Sequence, residues 1–305
     1  LISEAEIEFH PAGTTISGGP FVRVVHSGAL DLADARRRLG PGDTLPAESR
    51  AIAAQDALCY RIPEAAAGPL LDQPRTSPAR PVAPHLPAPP RRNSTRRSLG
   101  RPWREERWCA IDLELTGLDP RHDHIVALGA VPIESGRVRL GGALYTLVRT
   151  ARPSGTGALM AHKLRPEDLE GAPTVDEAFE LLLGALSGHQ PVFHTAVIER
   201  SFLGPLFARH RTRLPNAADT QVLGRVWLHK RGEPAPAGLP LTRLARALGQ
   251  DPEEPHHALA DALMTALAFI ALAAHIDAFE PQTVGRLVRA EDRFRGSLRF
   301  APVRR

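Results

Sequence analysis

Cysteine is nearly absent: Cys59 and Cys109 are the only two in 305 residues. Two thiols make neither a disulfide framework nor a Cys-rich zinc site, and they suit a reducing compartment, the cytoplasm by default. Lysine is as scarce, because all but Lys163 and Lys230 of the 38 basic residues are arginine. A GC-rich genome produces Arg, Ala and Pro enrichment by itself, so the arginine content argues for no partner. The first 30 residues hold no basic stretch followed by an apolar run, so a signal peptide is not expected. Long apolar runs are missing too, with one exception, Ala258–Ile276, whose single charge is Asp261. Its length would span a bilayer, but Ala is a weak membrane former, and the expectation is a core helix and no membrane.

What remains is an ordinary soluble composition, 43% hydrophobic and 24% charged, long enough for two domains. The stretch 72–102 holds eight prolines, seven arginines and one acid, so it reads as an extended linker of charge +6. The tail from Pro281 carries seven arginines against Glu291 and Asp292, a charge of +5. The whole chain is +4, so everything else sums to −7. Either the linker and tail are simply solvated, or they are basic arms that hold a polyanion near an acidic site.

Residues 1–71 read as a small β-roll. Glu6–Phe9, Phe21–Val25 and Ala57–Pro63 are strand-like, and Gly40-Pro41-Gly42-Asp43 is a turn. The EFHPAGTTI start, the VVHSGALDL hairpin, the LGPGD turn and the closing ALCYRIP together resemble the cyclic-nucleotide-binding domain family. Thr44–Ala54 is shorter than that family's phosphate cradle and lacks its Gly-Glu pair. A structural module, or one that contacts a protein partner, is therefore expected here.

The chemistry-bearing pattern starts at Trp108-Cys109-Ala110-Ile111, an apolar run like a buried strand. It delivers Asp112-Leu113-Glu114, and residues two apart share a strand face. Two adjacent carboxylates on a buried strand need neutralisation, and a hard divalent cation supplies it. Far downstream, His256-His257-Ala258-Leu259-Ala260-Asp261 opens the apolar helix. A carboxylate in a first helical turn is favoured by the helix dipole. Positions five apart diverge by about 140° on a helix, so His256 shares a site with Asp261 only from the preceding loop. A loop histidine beside such a carboxylate suits general-base work.

Asp-x-Glu at a strand end, followed by His-x-x-x-x-Asp on a helix, resembles the DEDDh 3′–5′ exonuclease family, which includes the proofreading subunit of bacterial replicative polymerases, RNase T and oligoribonuclease. Ile125–Val131 and Tyr145–Val148 stand as the family's second and third strands, Ala161-His162-Lys163-Leu164 for its usual Ile-His-Gly-Ile, and Asp219-Thr220 for an Asp-Thr after the middle motif. The middle motif itself departs: the usual His-Asn-x-x-x-Asp is His194-Thr195-Ala196-Val197-Ile198-Glu199, one methylene longer at the acid.

The resemblance implies an α/β fold, a ribonuclease H-like mixed sheet flanked by helices. Its divisions here are a 1–71 roll, a 72–102 linker, a 103–277 exonuclease domain and a 278–305 basic tail. It implies 3′–5′ hydrolysis of nucleic acid with a free 3′ end, single-stranded by preference and DNA ahead of RNA, releasing nucleoside 5′-monophosphates. Asp112, Glu114, Glu199 and Asp261 would hold two Mg²⁺ or Mn²⁺ ions, with His256 as base and His257 as the neighbouring alternative. Leu115, Thr116, His162 and Phe202 would hold the terminal nucleotides. The alternative is a catalytically weak nuclease fold that binds nucleic acid or regulates, which the substitution at Glu199 keeps open.

Overall fold

The computed structural model describes residues 5–16, 21–32, 38–41, 43–45, 49–63, 98–250, 252 and 256–290. The linker to residue 97, the tail from residue 291 and loop positions 251 and 253–255 lie outside the described residues.

The chain opens with short strands: β1 (Glu6–His10), β2 (Thr15–Ile16), β3 (Phe21–Ser27), β4 (Leu30–Leu32), β5 (Arg38–Leu39), β6 (Thr44–Leu45), β7 (Ala51–Ala53) and β8 (Ala57–Pro63). A second set follows: β9 (Trp108–Leu115), β10 (Ile125–Glu134), β11 (Arg137–Arg139) and β12 (Leu144–Leu147). Helices then dominate: α1 (Thr156–His162), α2 (Pro166–Leu169), α3 (Val175–Ala185), β13 (Gln190–Phe193), α4 (Ala196–Arg209), β14 (Ala218–Asp219), α5 (Thr220–Lys230), α6 (Leu241–Ala247), α7 (Ala258–Phe279) and α8 (Val284–Val288).

The two strand sets share one sheet, ordered β14-β13-β9-β10-β11-β1-β8-β3-β6, with β12 also paired to β10. It is mixed, because β13 runs parallel to β9 and β14 while β9 and β10 are antiparallel. The expected mixed sheet flanked by helices is therefore present. A smaller sheet, β2-β7-β4-β5, closes over the N-terminal strands. Ile16, Val25, Leu30, Leu39, Leu45 and Cys59 fill the space inside the roll.

Strand β9 is buried on both faces, as its apolar run requires. Trp108 and Ala110 pack with α7, while Cys109 and Ile111 pack against Phe179 of α3 and Leu203 of α4. Burial pushes both thiols, Cys59 and Cys109, up to about 12, so they stay protonated and act as small hydrophobes. Helix α7 is apolar all round, with a mean hydropathy of 1.9 over its most apolar window. That window is 78% buried within the protein, so its apolarity serves the core between sheet and outer helices.

The N-terminal strands join through β1, which pairs antiparallel with β11 by Glu6–Arg139 and Ile7–Val138. Ile7 and Leu58 enter the cluster around α7. The opposite face of β1 carries Glu6 and Glu8, only 9% and 6% exposed. Arginines on three strands meet them: Arg23 of β3 donates to Glu8 at 2.6 Å, Arg61 of β8 to Glu6 at 2.6 Å, and Arg137 of β11 to Glu8 at 3.3 Å. Burial works against charge on Glu8, yet His10 and Arg23 hold its carboxyl down at about 2. Helix α7 is tied to the roll from the other side, where Asp56 pairs with His275 at 2.9 Å.

Candidate active site

Asp112 and Glu114 leave β9 on the face toward α7, opposite Gly129 and Ala127 of β10. At Gly129 the backbone of the helix comes against the backbone of the sheet. A Cβ there would lie 2.1 Å from the Ala258 carbonyl oxygen and 2.6 Å from the Leu259 nitrogen. Only hydrogen at this position lets the first turn of α7 sit on the strand beside Asp112.

That contact brings Asp261, in the first turn of α7, to the strand carboxylates. Ligand oxygens of Asp112, Glu114 and Asp261 lie within 4.8 Å of one another. Glu199 sits in the first turn of α4 and is 6% exposed. It lies outside the 4.8 Å group, though its charge is among those that act on Asp112. Both helices thus aim positive N-terminal ends at the cluster.

Without a cation, this crowd resists ionisation. Burial, then the charges of Asp261, Glu199 and Glu114, pushes Asp112 well above the usual carboxylate range. Burial, then Asp261, raises Glu114 to about 7. Burial, with a further contribution from Asp219, raises Glu199 to about 8, and burial raises Asp261. Glu114 Oε1 and Glu199 Oε2 are buried without a hydrogen-bond partner. Orphaned, hard oxygen donors of this kind fit a divalent cation of the Mg²⁺ or Mn²⁺ type.

The two histidines separate. His256 stands in the loop before α7, with a left-handed φ of 74°, and its backbone N–H donates to Asp261 Oδ2 at 2.7 Å. Such a backbone costs on the order of 1–3 kcal/mol outside glycine and clusters at functional positions. His257 is the N-cap of α7, its Nδ1 accepting the Ala260 N–H at 3.4 Å. Its ring stacks on Tyr145 of β12, centroids 4.6 Å apart at 19°. An Nδ1 lone pair engaged in capping does not also take a proton from water.

The remaining sequence candidates occupy varied positions. The Thr116 hydroxyl donates to Asp123 Oδ1 at 3.0 Å and accepts the His124 N–H at 3.0 Å, pinning the turn after β9. His162 closes α1 and is buried. Its Nδ1 accepts the Leu164 N–H at 3.0 Å, and its Nε2 lies 3.2 Å from Ser154 Oγ. Burial, then the charge of His256, lowers its pKa. Leu115 and Phe202 are 8% and 7% exposed within the cluster shared by β9, α3 and α4. Lys163, which stands where the resemblance has glycine, has a left-handed backbone at φ 59°.

Four contributors were not read as site residues from the sequence. Gly129 carried a usable signal, since a lone glycine in a strand marks close backbone approach. Asp219 clamps two helix starts: Oδ2 accepts the Ala196 N–H of α4 at 2.9 Å, and Oδ1 accepts Gln221 N–H at 2.9 Å and Val222 N–H at 3.2 Å in α5. Next to it, the Leu239 carbonyl accepts His194 Nε2–H at 2.9 Å, while Thr220 Oγ1 lies 2.9 Å from Nδ1. Burial brings the His194 pKa down to about 4, so it stays neutral and structural. The fourth, Tyr145, gave no signal beyond its strand.

The model of the RNase_T family, described as Exonuclease, matches residues 109–269, more than half of the chain. Over 166 residues the chain is 29% identical to a DNA polymerase III PolC-type of Thermotoga petrophila, a match covering 53% of this chain and 12% of the relative. Over 193 residues it is 26% identical to the 3′-5′ exonuclease DinG of Bacillus subtilis, covering 62% and 20%. The chain thus spans a fifth or less of these curated relatives' length. Among solved structures, Exonuclease X in complex with 5′ overhanging duplex DNA is similar at TM-score 0.46 and 20% identity, over 60% of this chain and 98% of that one. E. coli Exonuclease I in complex with a dT13 oligonucleotide is similar at TM-score 0.49 and 18% identity, over 57% and 42%. With its acidic strand end and the helix that answers it, the chain belongs to the RNase_T exonuclease family.

Proposed function

We propose that this chain is a metal-dependent 3′–5′ exonuclease that removes nucleoside 5′-monophosphates from single-stranded ends, DNA ahead of RNA. The observation that carries the reading is the convergence of Asp112, Glu114 and Asp261 within 4.8 Å, each with its pKa raised. The family supplies the reaction class, and the similar B. subtilis protein is named for the 3′–5′ direction.

Asp112, Glu114, Asp261 and Glu199 would hold the cations, two by the family resemblance. Bound Mg²⁺ or Mn²⁺ supplies Lewis-acid stabilisation of phosphate charge and lowers the pKa of bound water. His256 takes the proton of the attacking water. The new oxygen–phosphorus bond forms as the bond to the 3′-oxygen of the shortened strand breaks, and that oxygen leaves as a hydroxyl with a proton from solvent water, to which His256 later returns its own. Asp261 orients this base through the His256 N–H.

Leu115, Thr116, His162 and Phe202 shape the pocket for the terminal nucleotide; Leu115 and Phe202 act as its apolar floor, Thr116 by holding its turn. The roll of residues 1–71 is a structural or partner-contacting unit, the 72–102 linker and 278–305 tail supply basic charge that attracts the strand although α8 within the tail packs in the core, and residues 103–277 form the nuclease. A second reading, a catalytically weak binding module, is favoured by Glu199 standing outside the 4.8 Å group.

End-labelled single strands decide between them. DNA and RNA labelled at either end are incubated with Mg²⁺, Mn²⁺ or EDTA, with wild type and Asp112→Ala. Metal-dependent loss from the 3′ end, absent in the variant, is the expected result and also chooses the sugar. No degradation of either polymer by folded, metal-loaded protein would favour the binding module.

A further inference from the structure

We infer that the adjacent histidines divide two jobs, and that His257 and Tyr145 form a clamp that positions His256 over the carboxylates. The inference rests on the nuclease reading for His256 and goes beyond it for the other two residues. In this account His257 and Tyr145 are positioning residues that act through His256.

Three observations carry it. His256 holds a left-handed φ of 74°, a backbone that relaxes unless its neighbours fix it. On one side its N–H is tied to Asp261 Oδ2 at 2.7 Å. On the other side the next residue is fixed twice, by the cap to Ala260 N–H and by the stack on Tyr145 at 4.6 Å and 19°.

The choice of residue is informative. Asp, Asn, Ser and Thr are the preferred N-caps, and any of them would satisfy the Ala260 amide. A histidine adds a flat ring of the right size to lie on Tyr145, so the stack explains what the cap alone does not. Tyr145 belongs to β12, which is paired to β10 through Gly129, the residue opposite Asp112. The clamp therefore references the loop to the same strand pair that holds the metal-binding carboxylates. Tyr145 also lies close enough to Glu114 that this charge, after burial, raises its pKa. Loop, cap and carboxylates are thereby registered to one another.

Tyr145→Ala, Tyr145→Phe, His257→Ala and His257→Asn test the division of labour on the full chain. The first readout is amide hydrogen exchange across residues 256–261. The second is kcat and KM for removing nucleotides from a 3′-labelled single-stranded DNA with Mn²⁺. Tyr145→Phe keeps the stack and should match wild type in both. Tyr145→Ala and His257→Asn remove the stack, and kcat should fall on the order of tenfold to a hundredfold with KM nearly unchanged. His257→Ala removes cap and stack, and should in addition speed exchange at Ala260 and Asp261. Loss of activity in His257→Ala with full activity in Tyr145→Ala would overturn the clamp, because His257 would then act directly. So would unchanged exchange in both alanine variants. Exchange needs no turnover: a wild type without nuclease activity would sink the nuclease reading, and exchange would still uphold or overturn the clamp.

Discussion

Gly129→Ala is the sharpest test of how the site is assembled, because one methyl group addresses one contact. Its Cβ would sit 2.1 Å from the Ala258 carbonyl oxygen and 2.4 Å from that carbonyl's carbon. Ordinary van der Waals contact begins at 3.4 Å, so the start of α7 must retreat by about 1.3 Å or the strand must bow by as much. The obstacle is backbone, which no rotamer change relieves. Asp261 rides on that first turn and Asp112 is the cross-strand partner of Gly129, so the retreat separates the two carboxylates directly. Overpacking of this kind costs about 1–3 kcal/mol of stability. A displacement near 1 Å at a reacting centre costs on the order of a hundredfold in rate. Calorimetric unfolding, Mn²⁺ titration and kcat/KM on a 3′-labelled strand measure the three consequences. Gly157→Ala is the matched control, since a Cβ there meets nothing within 4 Å. A folded Gly129→Ala protein with wild-type metal affinity and turnover would refute the idea that this close approach builds the site.

The remaining predictions concern its other parts. With metal removed by EDTA, Glu199, raised to about 8, and Glu114, raised to about 7, keep protons in the folded chain that the unfolded chain gives up. Stability should therefore be greatest at or below about pH 4.5 as far as these groups are concerned, and should fall as pH rises from there, by up to about 1.4 kcal/mol per pH unit for each group, levelling off above about 7 for Glu114 and about 8 for Glu199. Thermal melts from pH 5 to 9 read this, and Glu199→Gln should flatten the slope; an unchanged slope would remove Glu199 as a source. Asp219→Ala strips acceptors from the starts of two helices and should lower stability by about 1–3 kcal/mol with weaker binding of the second metal ion, whereas unchanged melting and metal titration would contradict the clamp at Asp219.

Much of the site was legible because its logic is local. Asp112 and Glu114 share a face by the period of a strand, and the apolar run before them marks that strand as buried. His256 and Asp261 are too divergent on a helix to meet, which required His256 to lie on the loop, and α7 does begin at Ala258. The rest depends on partners distant in sequence. Ile7 pairs with Val138 across β1 and β11, and nothing in a three-residue strand announces that the roll extends the nuclease sheet. Glu6 and Glu8 are buried because arginines from β3, β8 and β11 converge on them, partners that no local pattern around β1 names. The lone Gly129 announced a close approach, but only the fold says that the approaching backbone is Ala258. His257 and Tyr145 are more than a hundred residues apart, and their stack is a property of α7 docking on β10.

The central claim is that hydrolysis depends on cations held by these carboxylates. Mn²⁺ titration by calorimetry, with release of mononucleotide from a 3′-labelled single strand measured in the same samples, tests it most directly. Turnover should rise with metal occupancy, vanish in EDTA, and be lost together with metal binding in folded Asp112→Ala. Turnover that persists in EDTA, or in Asp112→Ala at the wild-type rate, would contradict the account.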